Sequence, residues 1–136
     1  MRFTAYLSFN GRCKEAFEFY QQHLRATLQF SMTYGESPMA AQTPAEWRDR
    51  IIHATLSLGG SELAGADAPP GYFEEPKGFS VALQVEDAAE AERIFGALAE
   101  DGKVTMPLQQ TFWAARFGMV VDRFGIPWMI NCGQEG

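Results

Sequence analysis

The sequence predicts an α+β fold of two βαβββ modules that form one curved, mixed sheet of about eight strands, with the helices outside. Three observations lead to this prediction. The order of strand, helix and three strands occurs twice, the apolar periodicities of the two helices match, and one stretch rich in proline and glycine separates the copies. Each module leaves one sheet face without a helix, so two modules placed edge to edge are expected to surround a cleft.

The first module is predicted to span residues 1–67. It begins with a strand over residues 2–9, where apolar and polar residues alternate, and continues with a helix opened by Asn10. The apolar face of this helix consists of Ala16, Phe17, Phe19, Tyr20 and Leu24. Residues 36–48 are expected to form a polar loop with a short helical stretch at its end. Three further strands are predicted over residues 26–35, 51–59 and 61–67.

Residues 68–78 are the predicted linker, because they contain three prolines, two glycines and three charged residues. The acidic residues at this linker are expected to be solvated; they are Asp67, Glu74 and Glu75.

The second module, residues 79–136, repeats the order of the first, and we expect the two modules to make one domain. A strand over residues 79–87 precedes a helix over residues 88–102, whose apolar stripe is Ala91, Ile94, Phe95 and Leu98. The last strands are predicted over residues 103–110, 111–122 and 125–132. Placing Ala5 over Ser80 aligns the two helices, which indicates a duplicated module.

The composition argues against several classes of function. Since 17 acidic residues outnumber 11 basic ones, the net charge of −6 would repel a nucleic acid backbone. Glycine-rich phosphate-binding motifs are absent from the sequence. No run of about 18 apolar residues and no signal-peptide pattern is present, so we expect a cytoplasmic protein that does not contact membranes. Cys13 and Cys132 lack metal-type or redox-type spacing and are expected to be reduced thiols.

Two motifs carry a resemblance to a known superfamily. They are FNGRCKEAFEFYQQHL near the start and MPLQQTFWAARFGMVVDRFGIPWMIN near the end. With the repeated βαβββ order, they resemble the vicinal oxygen chelate superfamily, which includes glyoxalases, bleomycin-resistance proteins and dioxygenases. The second motif is similar to the PhnB-like branch, often labelled as resembling 3-demethylubiquinone-9 3-methyltransferase. The resemblance implies a glyoxalase-like fold and a homodimer.

The resemblance also implies where a metal would be bound. Members with metal chemistry place four His or Glu ligands on the first and last strands of each module, and these positions fall here on Ala5, Ala64, Ser80 and Met129. Such side chains lack the donors that a divalent ion requires. His53 and Glu62 are the nearest substitutes, and a slip of one residue would turn either to the opposite face. We therefore predict no metal and no cofactor. Methyl transfer is not expected, since no glycine-rich unit for a methyl donor occurs.

The candidate ligand-binding residues are mostly aromatic, with a few polar groups among them: Tyr6, His53, Phe112, Trp113, Arg116, Trp128 and Asn131. The aromatic rings could stack on a flat ligand, or they could fill the core or a dimer interface. Arg116, three residues after Trp113, is expected to face the other side of its strand. It could clamp a carboxylate or phosphonate, or form an ion pair with Asp122 or with an acidic residue of a partner subunit. Asp122 and Gly125 have the pattern of a turn. No catalytic residue can be assigned, because two histidines and two cysteines do not specify a constellation.

Three functional hypotheses follow from the sequence. The first is a metal-free protein that binds an unidentified small molecule in the cleft of the sheet. The second is a metal-dependent lyase, isomerase or dioxygenase of the superfamily, in which His53 and Glu62 would act as ligands. The third is a dimeric interaction protein in which the same aromatic side chains form only the interface.

Overall fold

A computed structural model describes residues 1–133, which divide into two compact units, the first of them Met1–Glu74. The first unit holds one helix and four strands in one sheet. In chain order the elements are β1 (Ala5–Phe9), α1 (Cys13–Leu24), β2 (Thr27–Thr33), β3 (Ile51–Leu58) and β4 (Ser61–Asp67). The strand order across the sheet is β1-β4-β3-β2, with β1 parallel to β4 and the other pairs antiparallel. The loop from β2 to β3 contains two short 3-10 turns.

The second unit, from Glu75 onward, repeats this topology. Its elements are β5 (Val81–Val85), α2 (Ala88–Ala99), β6 (Lys103–Gln109), β7 (Ala114–Val121) and β8 (Pro127–Gly133). The strand order is β5-β8-β7-β6, in which β5 is parallel to β8 and the remaining pairs are antiparallel. The predicted α+β fold and the repeat of βαβββ are therefore confirmed, and hydrogen bonding groups the eight strands into two sheets of four.

Several predicted boundaries were wrong at strand starts. The first strand begins at Ala5 rather than at residue 2, and β7 begins at Ala114, so that Phe112 and Trp113 lie in the loop before it. Asn10 does not open α1, because the helix begins at Cys13 and its first turn has no capping bond from the adjacent Arg12 side chain. The predicted apolar stripe of α2 is confirmed, since all four of its members are buried.

Each sheet has one face packed against its own helix and one face turned away from it, which we call the helix-free face. In the first unit Leu7 and Phe9 of β1 are buried on the helix side, and Gly65 lies so close to α1 that an added Cβ would be 2.9 Å from the Phe17 ring. Because side chains alternate along a strand, Tyr6 and its register partner Ala64 occupy the helix-free face.

The same alternation divides the second sheet. Trp128, Ile130 and Cys132 of β8 are buried on the helix side. The residues between them, Met129 and Asn131, therefore belong to the helix-free face. Their register partners share it, and these are Ala82 and Gln84 on β5 and Met119 and Phe117 on β7.

A buried carboxylate ties the first unit together at the end of β4. Asp67 is 1% exposed, and its side chain accepts hydrogen bonds from the backbone N–H groups of Gly11 at 2.8 Å, Cys13 at 3.0 Å and Ile51 at 2.9 Å. The expectation that Asp67 is solvated was thus wrong. The first N–H groups of a helix have no partner within the helix, and no neighbouring side chain caps α1. The Asp67 carboxylate supplies the missing acceptor.

The second unit has its own buried carboxylate in the β7–β8 turn. Asp122 accepts hydrogen bonds from the backbone N–H groups of Phe124 and Ile126, and Gly125 has a φ of 89°. These contacts agree with the expected turn. The second carboxylate oxygen accepts a bond from the indole N–H of Trp128 at 2.9 Å.

Candidate functional site

The helix-free face of the first sheet carries a hydrogen-bonded pair of aromatic side chains. The Tyr6 hydroxyl lies 3.0 Å from Nδ1 of His53, and the two rings are stacked with centroids 5.6 Å apart and an angle of 23° between their planes. Phe30 of β2 adds a third ring, whose centroid is 5.9 Å from that of His53. Tyr6 is 54% exposed and Phe30 is 45% exposed, so one side of this group is accessible to a ligand within its unit.

The tautomer of His53 determines which hydrogen bond the pair can offer to a ligand. Partial burial, with a smaller contribution from Cys13, raises the pKa of Tyr6 above its usual value, so the phenol stays protonated at neutral pH. When this hydroxyl donates to Nδ1, the neutral imidazole carries its proton on Nε2. The Nε2–H group can then donate to an acceptor on a ligand.

The helix-free face of the second sheet combines a polar pair with aromatic rings. The Asn131 amide donates to Oε1 of Gln84 at 2.8 Å, whereas Oδ1 of Asn131 is buried and accepts no hydrogen bond from residues 1–133. Phe117, the register partner of Asn131, lies 5.2 Å from Trp113 between ring centroids in a T-shaped arrangement. A buried amide oxygen without a donor is uncommon, and a ligand could supply that donor.

Two of the predicted ligand-binding residues lie elsewhere. Trp128 is 1% exposed and points to the helix side, where it bonds to Asp122. Arg116 is in register with the buried Cys132, and its guanidinium pairs with Glu92 of α2 at 3.2 Å. Arg116 therefore forms its ion pair with Glu92 of α2, whereas the sequence had suggested Asp122. Neither side chain lines a helix-free face, so neither is kept in the proposed site.

Phe112 lies outside the strands that carry the helix-free faces. It lies in the β6–β7 loop, is 88% exposed, and makes a T-shaped contact with Trp113 at 4.7 Å between ring centroids. Trp113 is 48% exposed. The β6–β7 loop therefore exposes two neighbouring aromatic rings, and these rings are not part of strand β7.

The residues at the superfamily's metal positions do not fit a divalent ion. Ala5 shares the helix side with Leu7, and Ser80 precedes β5. The residues of the two first strands that do occupy helix-free faces are Tyr6 and Ala82. In the first unit Tyr6 and Ala64 offer one phenol oxygen, and in the second unit Ala82 and Met129 offer no oxygen or nitrogen donor. Among residues 1–133, no group of three His, Cys, Asp or Glu side chains is arranged to hold a metal ion.

His53 and Glu62 cannot compensate for this lack. Glu62 of β4 is opposite Ser57 of β3, and His53 is four residues from Ser57 along the strand, a separation of about 13 Å. The Glu62 carboxylate also pairs with Arg2 at 3.3 Å. One ion could not be bound by both side chains without a large rearrangement.

Comparison with known proteins agrees with this architecture. The model of the family described as 3-demethylubiquinone-9 3-methyltransferase matches residues 1–131. The chain belongs to this family. Among its relatives, protein YjdN of Escherichia coli K12 is 40% identical over 143 aligned positions, covering 99% of this chain and 97% of YjdN.

Solved structures of the 3-demethylubiquinone-9 3-methyltransferase family and of more distant proteins share the fold. PA1353 from Pseudomonas aeruginosa has a TM-score of 0.91 at 51% identity, covering 99% of both chains. A putative family member from Bacillus cereus, a PhnB protein, has a TM-score of 0.81 at 26% identity, covering 98% of this chain and all of its own. The fosfomycin resistance protein FosX from Listeria monocytogenes has a TM-score of 0.66 at 11% identity, over 96% and 90% of the two chains, which shows the fold alone. The predicted PhnB-like branch is confirmed.

Sequence reasoning missed three residues of the two helix-free faces. Phe30, Gln84 and Phe117 acquire their positions from cross-strand register, in which Phe30 is opposite Thr55 and Phe117 is opposite Asn131. Alternation along each strand was visible in the sequence, but the pairing that brings Phe30 near His53 depends on a bulge in β2.

Within the described residues, no helix has the length and apolarity that a membrane span requires.

Proposed function

We propose that this protein binds a small, planar organic molecule on the helix-free face of its first sheet, without a metal ion. The observation that carries the proposal is the Tyr6–His53 pair with Phe30 beside it. Three rings provide stacking area, and the paired hydroxyl and imidazole provide one fixed polar contact, which is the usual composition of a small-molecule site.

The test is a thermal-shift screen of small aromatic acids, phenols and amides on protein purified in the presence of a chelator. A compound that binds only the native state raises its stability by RT ln(1 + [L]/Kd), about 2.7 kcal/mol at a hundredfold excess over Kd. Tyr6→Phe keeps the ring and removes the hydroxyl, so it should weaken the best compound by about five- to tenfold, the value of one hydrogen bond. Tyr72→Phe, which alters a 77% exposed side chain, is the matched control and should change nothing. Equal affinity of Tyr6→Phe and wild type would refute the role of the pair.

The metal-dependent alternative receives less support. FosX is described in complex with manganese(II) and a dihydroxypropylphosphonic acid. A manganese site needs several oxygen or nitrogen ligands, whereas the corresponding strands here carry Tyr6, Ala64, Ala82 and Met129. Elemental analysis of protein purified without chelator tests this directly, since stoichiometric zinc, nickel, manganese or iron would contradict the metal-free proposal.

Methyl transfer, which the family's description names, is not part of the proposal. Binding of a methyl donor at a glycine-rich turn needs a doubly wound parallel sheet, and each sheet here has a single parallel pair. Calorimetry with S-adenosylmethionine should show no binding, and saturable binding would reverse this conclusion.

Formation of a homodimer interface is a second candidate role for the β6–β7 loop, which carries Phe112 and Trp113. Phe112 and Trp113 expose 88% and 48% of their surface, and exposed neighbouring rings are typical of interfaces. If the loop forms only an interface in a cytoplasmic dimer, Trp113→Ala should dissociate the dimer in sedimentation velocity while no compound shifts the melting temperature. If Trp113 binds ligand, the same variant should weaken a compound identified in the screen.

A further inference from the structure

A groove lies between α1 and strands β2 and β3 on the helix side of the first sheet, on the opposite face from the Tyr6–His53 pair. Its volume is about 480 Å³, within the usual range of small-molecule sites. The floor is apolar and is formed by Cys13 and Phe17 of α1 together with Ile51 and Ala54 of β3. All four floor residues are buried, so the groove reaches the core of the unit.

The position of α1 explains why the groove exists. Phe17 packs against Gly65 of β4, where the contact is so close that a methyl group would not fit. This packing brings the helix close to β4, and two of the side chains that line the groove on the other flank are small. Ser31 of β2 and Ala54 of β3, which are register partners, leave space that larger residues would fill.

The charges at the rim favour a cation. Glu18 projects from α1 and Asp49 lies just before β3, and both border the groove. Neither carboxylate has a basic side chain within 4.0 Å among residues 1–133, while Lys14 is the single cation of the lining. Two carboxylates against one ammonium, on a chain with a net charge of −6, attract positive ligands and repel negative ones.

From these observations we propose that the groove is a second binding site, specific for an organic monocation with a short apolar chain, such as an alkylammonium. The apolar chain would lie on Phe17 and Ala54, and the ammonium would lie between Glu18 and Asp49. This site is independent of the proposed function, because it uses the opposite face of the first sheet.

The first experiment titrates ¹⁵N-labelled wild-type protein with hexylammonium chloride and follows backbone amide shifts by NMR. Saturable changes at Phe17, Leu28 and Ala54 are expected, and sodium hexanoate at the same concentration should leave these amides unchanged. Changes centred on Tyr6 and His53 would overturn the proposal, as would equal binding of hexanoate or no saturation by hexylammonium.

Two variants test the two halves of the site. Glu18→Gln with Asp49→Asn should weaken hexylammonium about fivefold, as expected of two exposed ion pairs, and should leave 1-hexanol unaffected. Ser31→Leu changes an exposed residue that lines the groove, and by filling the space it should weaken both probes about tenfold. Unchanged affinity in either variant would contradict the assignment. If Ser31→Leu fails to fold, the wild-type shift map alone decides between the two faces.

Discussion

Replacing Asp67 by alanine should destabilise the protein more than any surface change at a charged residue. The carboxylate is 1% exposed and accepts three backbone hydrogen bonds from the β1–α1 connection and from the start of β3. Alanine would remove the acceptor for all three N–H groups at once. The first turn of α1 would lose its capping partner, and β3 would lose a tie to β4.

The magnitude follows from the burial of the three donors. The bonds from Cys13 and Ile51 are buried, and each buried N–H left without an acceptor costs about 1–3 kcal/mol. The bond from Gly11 is only part-buried, so water can replace the carboxylate there. The expected loss is about 2–6 kcal/mol, a large share of the roughly 5–15 kcal/mol that stabilises a typical domain.

Urea unfolding followed by circular dichroism measures this loss. Asp67→Asn should be milder, at about 1–3 kcal/mol, because its carbonyl can still accept from Gly11 and Cys13 while its NH₂ group faces the N–H of Ile51. Glu74→Gln alters an exposed carboxylate and should stay within about 0.5 kcal/mol of wild type. A loss below about 1 kcal/mol for Asp67→Ala would refute the view that this carboxylate holds the unit together.

Three further predictions concern the packing of the core. Trp128→Phe deprives a buried carboxylate of its indole donor and should cost about 1–3 kcal/mol in urea unfolding, whereas Trp113→Phe, at a half-exposed ring, should cost less than about 0.5 kcal/mol. Gly118→Ala should destabilise by about 1–3 kcal/mol, because its methyl group would lie 2.7 Å from the nearest ring of α2, while Gly96→Ala has open space and should stabilise the helix by about 0.5–1 kcal/mol. Burial raises the pKa of the Cys13 thiol well above its ordinary value, so iodoacetamide at pH 8.5 should modify the native protein far more slowly than the urea-unfolded chain, and equal rates would contradict its burial.

The element order could be predicted from the sequence because it depends on local periodicity. The stripe of α2 and the strands β3, β4 and β8 appear where apolar residues recur at helical or alternating spacing. The start of α1 could not be placed in this way, because its cap is Asp67, more than fifty residues away in the chain. A carboxylate at the end of a strand, next to a proline-rich stretch, has the same local appearance whether it is solvated or buried.

The site was predictable only in part, for a related reason. Tyr6, His53 and Asn131 lie on helix-free faces as expected of inward strand positions, whereas Trp128 lies on the opposite side of β8. A shift of one residue decides between the two faces, and the connection from β1 to α1 is one residue longer than that from β5 to α2. Aligning the modules by their helices therefore misplaced the first-strand position at Ala5.

The most direct test of metal-free ligand binding is a calorimetric titration of chelator-treated protein with the best aromatic compound from the screen. The proposal predicts the same Kd before and after chelation, with a weaker Kd in Tyr6→Phe. Loss of binding after chelation, together with recovery on adding manganese(II), would show that an ion holds the ligand and would contradict the proposal.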